Sequence, residues 1–309
     1  MAFQQIDRFP IECFDAVLRP RMTPAEWTRV CALRNHPRFP LALATYDALM
    51  PDYFADNLIL NKIVTEAWRF EMLVYTLYLG ERDEPPVLTV SGLQKICSEQ
   101  NCASPGRVMA ILGIMNLGGY LSRQKSVHDK RIKILAPTKG FLKIVEGWNQ
   151  IIFQIIDAVH PEDQLARGHA AIPCFGRDMR QRGAQTLLAG WKLLDPFPEV
   201  FQFVSKDGGW MLLLHCASRA LAGWDGDTLA PVSVDLRAFG ARFGVSRSHL
   251  RRILESAHEA GLLIAPPSNG SDIRLSNELV ASFMTCMASE LGNYRLWALE
   301  GARARPASA

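Results

Sequence analysis

Five arginines crowd one short stretch of this chain. Arg237, Arg242, Arg247, Arg251 and Arg252 lie between Asp235 and Leu254, and Asp235 is the only acid among them. Guanidinium groups at that density make charge-assisted, often bidentate hydrogen bonds to phosphate and to the acceptor edges of bases. Ser246, Ser248 and His249 add short polar groups to the same run. The spacing predicts a helix here, with Leu250, Ile253, Leu254 and Ala257 as its buried stripe. Arg247, Ser248, His249, Arg251 and Arg252 are then expected to enter a major groove, with Arg242 and Ser246 turned toward phosphate. A second basic group runs from Ser122 to Lys133, where five cations meet only Asp129. Of these, Arg123, Lys125, Lys130 and Arg131 are expected to grip an adjacent groove. Net charge of the whole chain is only +3, so any nucleic-acid footprint is local.

Those side chains need a frame. Leu236, Phe239 and Phe243 share a helix face just upstream, Gly244 permits a left-handed exit, and Ser246 is placed to cap the next helix. Gly261 stops that helix. Leu262, Leu263 and Ile264 then lead toward Asn269-Gly270, a hairpin signal, and Ile273-Arg274-Leu275 returns. Pro266-Pro267 limits the length of the ribbon. Helix, turn, helix and two-stranded ribbon in this order resemble a winged helix-turn-helix, the DNA-reading unit of many bacterial transcription regulators.

The pattern occurs twice. Leu93 and Ile96 stand to Leu236 and Phe239 as Val108, Ile111 and Leu112 stand to Leu250, Ile253 and Leu254, after a one-residue slip. Gly119-Tyr120-Leu121 matches Gly261-Leu262-Leu263, and the helical run near Phe70 to Leu79 matches Trp210 to Leu221. Ser104-Pro105 would start the first copy's second helix, on which Arg107 is the one charged group available for contact. Ile132 to Gly140, ILAPTKG at its end, resembles the passage from wing to long helix in the MarR family of regulators. That resemblance spans roughly residues 53–159 and 195–291. It implies binding to double-stranded DNA and dimerisation through long helices. It also implies a small-molecule effector, for which Trp148, Trp191, Trp210 and Trp224 are candidate linings. This chain departs from the family in carrying two unequal units, so an internal pseudo-dimer and a homodimer both fit.

The expected fold is mainly α, with tandem duplicated winged helix-turn-helix units packed through long helices and small β-hairpin wings. The expected divisions are a helical lead over 1–50, a first unit with its long helix over 51–159 and a connector over 160–194. A second unit over 195–291 and a C-terminal helix end and frayed tail over 292–309 complete the chain. The lead is expected to pack on the unit after it, and Thr23-Pro24-Ala25-Glu26 to start one of its helices. At 309 residues the chain can hold about two domains, and its 49% apolar content supplies their cores.

Other classes of function find little support. No Walker-type phosphate loop, G-x-S-x-G, G-x-G-x-x-G or H-E-x-x-H occurs, so no enzyme, cofactor or metal site is expected. His169 with Pro173-Cys174 is faintly similar to a zinc-deaminase motif, but Ala171 stands where its glutamate belongs. Seven cysteines without a C-x-x-C pair argue against a disulfide framework, and Cys97 and Cys102 are close enough in sequence to sense oxidants. The N-terminus lacks a signal-peptide pattern and no run reaches membrane-spanning length, so a cytoplasmic protein is expected; that it is bacterial is what the resemblance to MarR-type regulators implies. A plasmid-type replication initiator, which also pairs two winged helices, would use the same surface. A winged-helix scaffold that binds protein alone would not need the arginines.

Overall fold

Thr23, Pro24 and Glu26 begin a helix as their chemistry requires. Thr23 Oγ1 accepts the Glu26 N–H at 3.3 Å, and the Glu26 carboxylate accepts the Thr23 N–H at 2.9 Å. This reciprocal cap satisfies two donors that the first turn leaves unpaired. The structure, a computed structural model, describes residues 9–64, 66–82, 87–125, 133–267 and 272–303. The expected Asn269-Gly270 turn, Lys130 and Arg131 lie outside these residues.

Among the described residues the chain is mainly helical. Helices α1 (Asp15–Leu18), α2 (Pro24–Arg34), α3 (Phe39–Asp56), α4 (Leu58–Val64) and α5 (Ala67–Gly80) come first. After α6 (Val90–Glu99) and α7 (Pro105–Leu117), strands β1 (Leu121–Lys125) and β2 (Lys133–Pro137) form an antiparallel pair. Leu121 lies opposite Pro137 and Lys125 opposite Lys133. Then come α8 (Lys139–Val159), α9 (Leu165–Ala171), α10 (Phe175–Leu188), α11 (Pro198–Val204) and α12 (Gly209–Ala222). The last three are α13 (Leu236–Phe243), α14 (Arg247–Glu259) and α15 (Asn277–Arg303). No helix among the described residues is long and apolar enough to cross a membrane.

The chain folds into two compact units, each assembled from separate stretches. One takes the chain up to Leu58, Gln154–Gln164 and Lys192–Asn293; the other takes Ile59–Phe153, Leu165–Trp191 and the chain from Tyr294 on. Packing and sequence order part company here. α3 precedes α5 in the chain but packs on α12 and α13, whereas α10 precedes α12 but packs on α5. The N-terminal helices therefore join the core built by the C-terminal half, and do not pack as a lead on the segment next in sequence. Arg21 and Glu199 tie them in with paired hydrogen bonds of 2.9 and 3.0 Å.

One further expectation changes. The stretch 160–194 is more than a connector, because α9 and α10 occupy most of it. Phe175, Met179, Ala184 and Leu187 give α10 a buried face despite its many arginines. Residues 292–303 continue α15 without a break, and from Leu279 to Ser289 that helix is buried on every side. The reason lies in its polar residues, which are small: Thr285 Oγ1 bonds back to the Ala281 carbonyl at 2.7 Å, and Ser282 Oγ reaches Glu199 at 3.0 Å. Hydroxyls satisfied within the helix or by one neighbour cost little to bury.

Glu290 is the exception on that helix. Its Oε2 is buried without a hydrogen-bond partner among the described residues. Burial raises its carboxyl from the ordinary 4.5 to about 7. The folded state thus holds a proton that the unfolded chain releases, and stability falls as pH rises through that window. Glu290→Gln is expected to leave stability near pH 4.5 unchanged and to raise it at pH 8 by roughly 1–3 kcal/mol. Urea unfolding at the two pH values checks this.

Candidate nucleic-acid interface

In the first unit, α12, α13 and α14 build the frame for the basic stretch. Asp235 caps α13, its carboxylate accepting the Arg237 and Ala238 N–H groups at 2.9 and 3.0 Å. Those bonds hold the carboxyl below its usual range. Leu236, Gly240 and Phe243 form the buried side of α13; Phe239 is half-buried, its ring 4.7 Å from that of Phe243. The chain leaves α13 through Gly244 at φ 67°. Ser246 Oγ then accepts the His249 N–H at 3.2 Å and starts α14. The turn is tight: a Cβ on Gly240 would lie 2.4 Å from the Val245 carbonyl oxygen.

Leu250, Ile253, Leu254 and Ala257 turn α14 inward, which leaves Arg247, Ser248, Arg251 and Arg252 exposed. The structure brings these four together on one face. It diverts others. Arg242 forms an ion pair with Asp52 of α3, and its guanidinium lies over the Phe243 ring at 5.4 Å. His249 turns inward, with Nε2 at 3.0 Å from the Asp207 carbonyl oxygen. Arg242 and His249 thus each find a partner within this unit, although the Arg242 side chain stays 44% exposed. Arg251 is held by Glu255 one turn on, at 2.6 Å, but keeps more than half of its side chain exposed. Behind α13, burial and the nearby charges of Arg219 and Arg242 push His215 down to about 4, so it carries no charge at neutral pH.

A short ribbon follows α14. Leu263 and Leu275 form an antiparallel bridge, and the Ile264 N–H donates to the Arg274 carbonyl at 2.8 Å. Val232, before α13, bridges to Ile273 with two bonds of 2.8 Å. Arg274 is paired with Asp272 at 3.0 Å.

The second unit has the same order of elements. Thr89 caps α6, Ser104 caps α7 with Pro105 in first position, and Thr89 bridges to Ile134 of β2. Leu93 and Cys97 are buried in α6 and Ile96 half-buried, as Leu236, Gly240 and Phe239 are in α13. Cys102 is half-buried beside them. The outward surfaces differ. Arg107 stacks on Trp68, 5.3 Å from the ring centroid. Apart from Asn116, the rest of the exposed side of α7 carries no polar side chain, with Met109 51%, Ile114 40% and Leu117 88% exposed. Arg123 is exposed on β1, and Lys125 is placed by its backbone at the end of that strand. Of the four proposed effector linings, Trp224 is in the core with Phe9 edge-on at 5.3 Å. Trp210 packs on Tyr46 and Phe283, and Trp191 on Trp297. Trp148 meets Phe70 at 5.8 Å.

Comparison with protein-family models, with curated proteins and with solved structures returned no match for this chain.

Sequence reading missed the acids that neutralise the basic stretch. Glu255 could have been found from its i,i+4 spacing to Arg251. Asp52 could not, since it lies 190 residues from Arg242. The close approach at Gly240 gives a direct test of this frame. Gly240→Ala forces the Val245 carbonyl to move and is expected to destabilise the protein by about 1–3 kcal/mol. Gly244→Ala, which only strains a left-handed residue, should cost roughly 1–2 kcal/mol. Chemical denaturation of both variants measures the two costs; wild-type stability in Gly240→Ala would show that the two helices do not approach this closely.

Proposed function

We propose that this protein is a sequence-selective double-stranded DNA-binding transcription regulator built from two winged helix-turn-helix units. The observation that carries the reading is the outward face of α14. Arg247, Ser248, Arg251 and Arg252 project from a Ser246-capped helix whose other side is wholly buried. A rigid helix that presents guanidinium groups at its N-terminal end has the dimensions and donors for a major groove. Arg247 and Arg252 are the proposed principal readers; Arg251 must first leave Glu255. Ser246 and the ribbon after α14 would lie toward phosphate. In the other unit, Arg107, Arg123 and Lys125 are the proposed backbone contacts, with Lys130 and Arg131 added on sequence grounds.

A second reading draws on α7. Met109, Ile114 and Leu117 form an uncharged exposed strip where a DNA-reading helix would carry donors, and protein contact there would be apolar. One experiment separates the two. Fluorescence anisotropy on genomic duplex fragments, over a salt series with competitor, is expected to select a subset of sites. On such a site Arg247→Ala and Arg252→Ala should each cost about 1–3 kcal/mol and relax specificity. Leu117→Ser should leave DNA affinity unchanged. Equal weak binding to all fragments, insensitive to the arginine changes, would replace DNA reading with the protein-contact reading.

A further inference from the structure

Cys97 and Cys102 stand on either side of the end of α6, and the backbone between them forms a defined cap. The Cys102 N–H donates to the Cys97 carbonyl at 3.0 Å, and inside that bond the Asn101 N–H donates to the Ser98 carbonyl at 3.1 Å. Asn101 takes the left-handed conformation that such a cap requires, at φ 53°, and asparagine is among the few side chains that enter it readily. Residues joined by the outer bond of this cap commonly bring their side chains into contact, and here both are cysteines. Bond lengths across that hydrogen bond keep the two α-carbons within about 7 Å, and disulfides usually span about 4.4–6.8 Å.

Tyr75 of α5 gives an independent sign that the two sulfurs are neighbours. Its hydroxyl is buried without a hydrogen-bond partner among the described residues. Burial first, then the charge of Glu71, then Cys102 and Cys97 hold this phenol above its ordinary range, so both cysteines lie near the same oxygen. The two differ in access. Cys97 is fully buried, whereas Cys102 is half-buried. A dissolved reagent therefore meets Cys102, and Cys97 is placed to attack a modified Cys102. No other two cysteines of the chain lie so near in sequence.

We propose that Cys97 and Cys102 form a reversible intrachain disulfide, oxidised by low-molecular-weight disulfides of the glutathione class. The Cys102 thiolate attacks one sulfur of the reagent, whose S–S bond breaks and releases a thiolate that takes up the proton Cys102 lost. The Cys97 thiolate then attacks the Cys102 sulfur, and the second reagent thiolate leaves and takes up the proton of Cys97. Two protein thiols are oxidised, and one small disulfide is reduced to two thiols. The new bond ties the last turn of α6 to the residue past its left-handed exit. While it is closed, the turn that leads into Ser104 and α7 cannot fray. The proposal does not depend on DNA binding.

The test is a titration of the folded full chain with glutathione disulfide at about pH 8. It is continued until the exposed Cys174 carries glutathione throughout, then quenched with N-ethylmaleimide and mapped by trypsin and mass spectrometry. Cys97 and Cys102 fall in one tryptic peptide, Ile96 to Arg107. That peptide is expected to lose two hydrogens and to take up neither maleimide nor glutathione, and dithiothreitol should restore both thiols. In Cys97→Ala the intermediate has no second thiol to resolve it. Glutathione on Cys102 should then rise roughly tenfold or more over wild type. A wild-type peptide that keeps both thiols while Cys174 is modified would overturn the proposal. So would one that ends with glutathione on Cys102, since Cys97 would then be out of reach.

Discussion

Neither unit of this protein closes its core with one continuous half of the chain. α12 and α13 are covered by α3, supplied by the N-terminal half, while α5 is covered by α10 from the second half. A helix with one apolar stripe has to bury it, and here the nearest helix in sequence is not the one that does so. Each pair of helices that carries a candidate surface therefore rests on a support encoded far from it. Folding must bring these distant stretches together before either core is complete, which places non-local contacts at the centre of its stability.

The same arrangement sets the charge of the proposed DNA face. Because α3 packs on α13, its Asp52 reaches Arg242 and pairs with that guanidinium at the surface. Asp207, just before α12, offers its carbonyl to His249 and turns the imidazole inward. What remains exposed on α14 is a smaller, more defined set than the composition of the stretch suggests. A compact set favours discrimination, since each remaining side chain is held at a fixed position on a rigid helix.

The two units share an order of elements and differ in what they present. α14 is basic outside, while α7 offers Met109, Ile114 and Leu117 to solvent. The frames match, with capped second helices, buried stripes and a bridge from the residue before the first helix to the returning strand. Their outward faces have no packing constraint and have diverged. The second unit also holds the Glu81–Arg180–Glu146 cluster. Without Arg180 the Glu81 carboxylate would be left largely out of water and unneutralised.

The sequence by itself determined the local pieces. Ser246, Ser104 and Thr23 cap helices because a side-chain oxygen satisfies an N–H that the first turn cannot. Leu250, Ile253, Leu254 and Ala257 fall on one side of α14 because 3.6 residues make a turn. The exit at Gly244 was legible for a similar reason, since it depends on residues within about one turn. Tertiary structure decided the rest. It made α9 and α10 helices of a core where a polar connector was read, and it buried α15 on every side by letting small hydroxyl residues bond internally. It also chose which arginines find an acid partner. Those outcomes depend on partners such as Asp52, 190 residues from Arg242, and no local spacing encodes a contact at that separation.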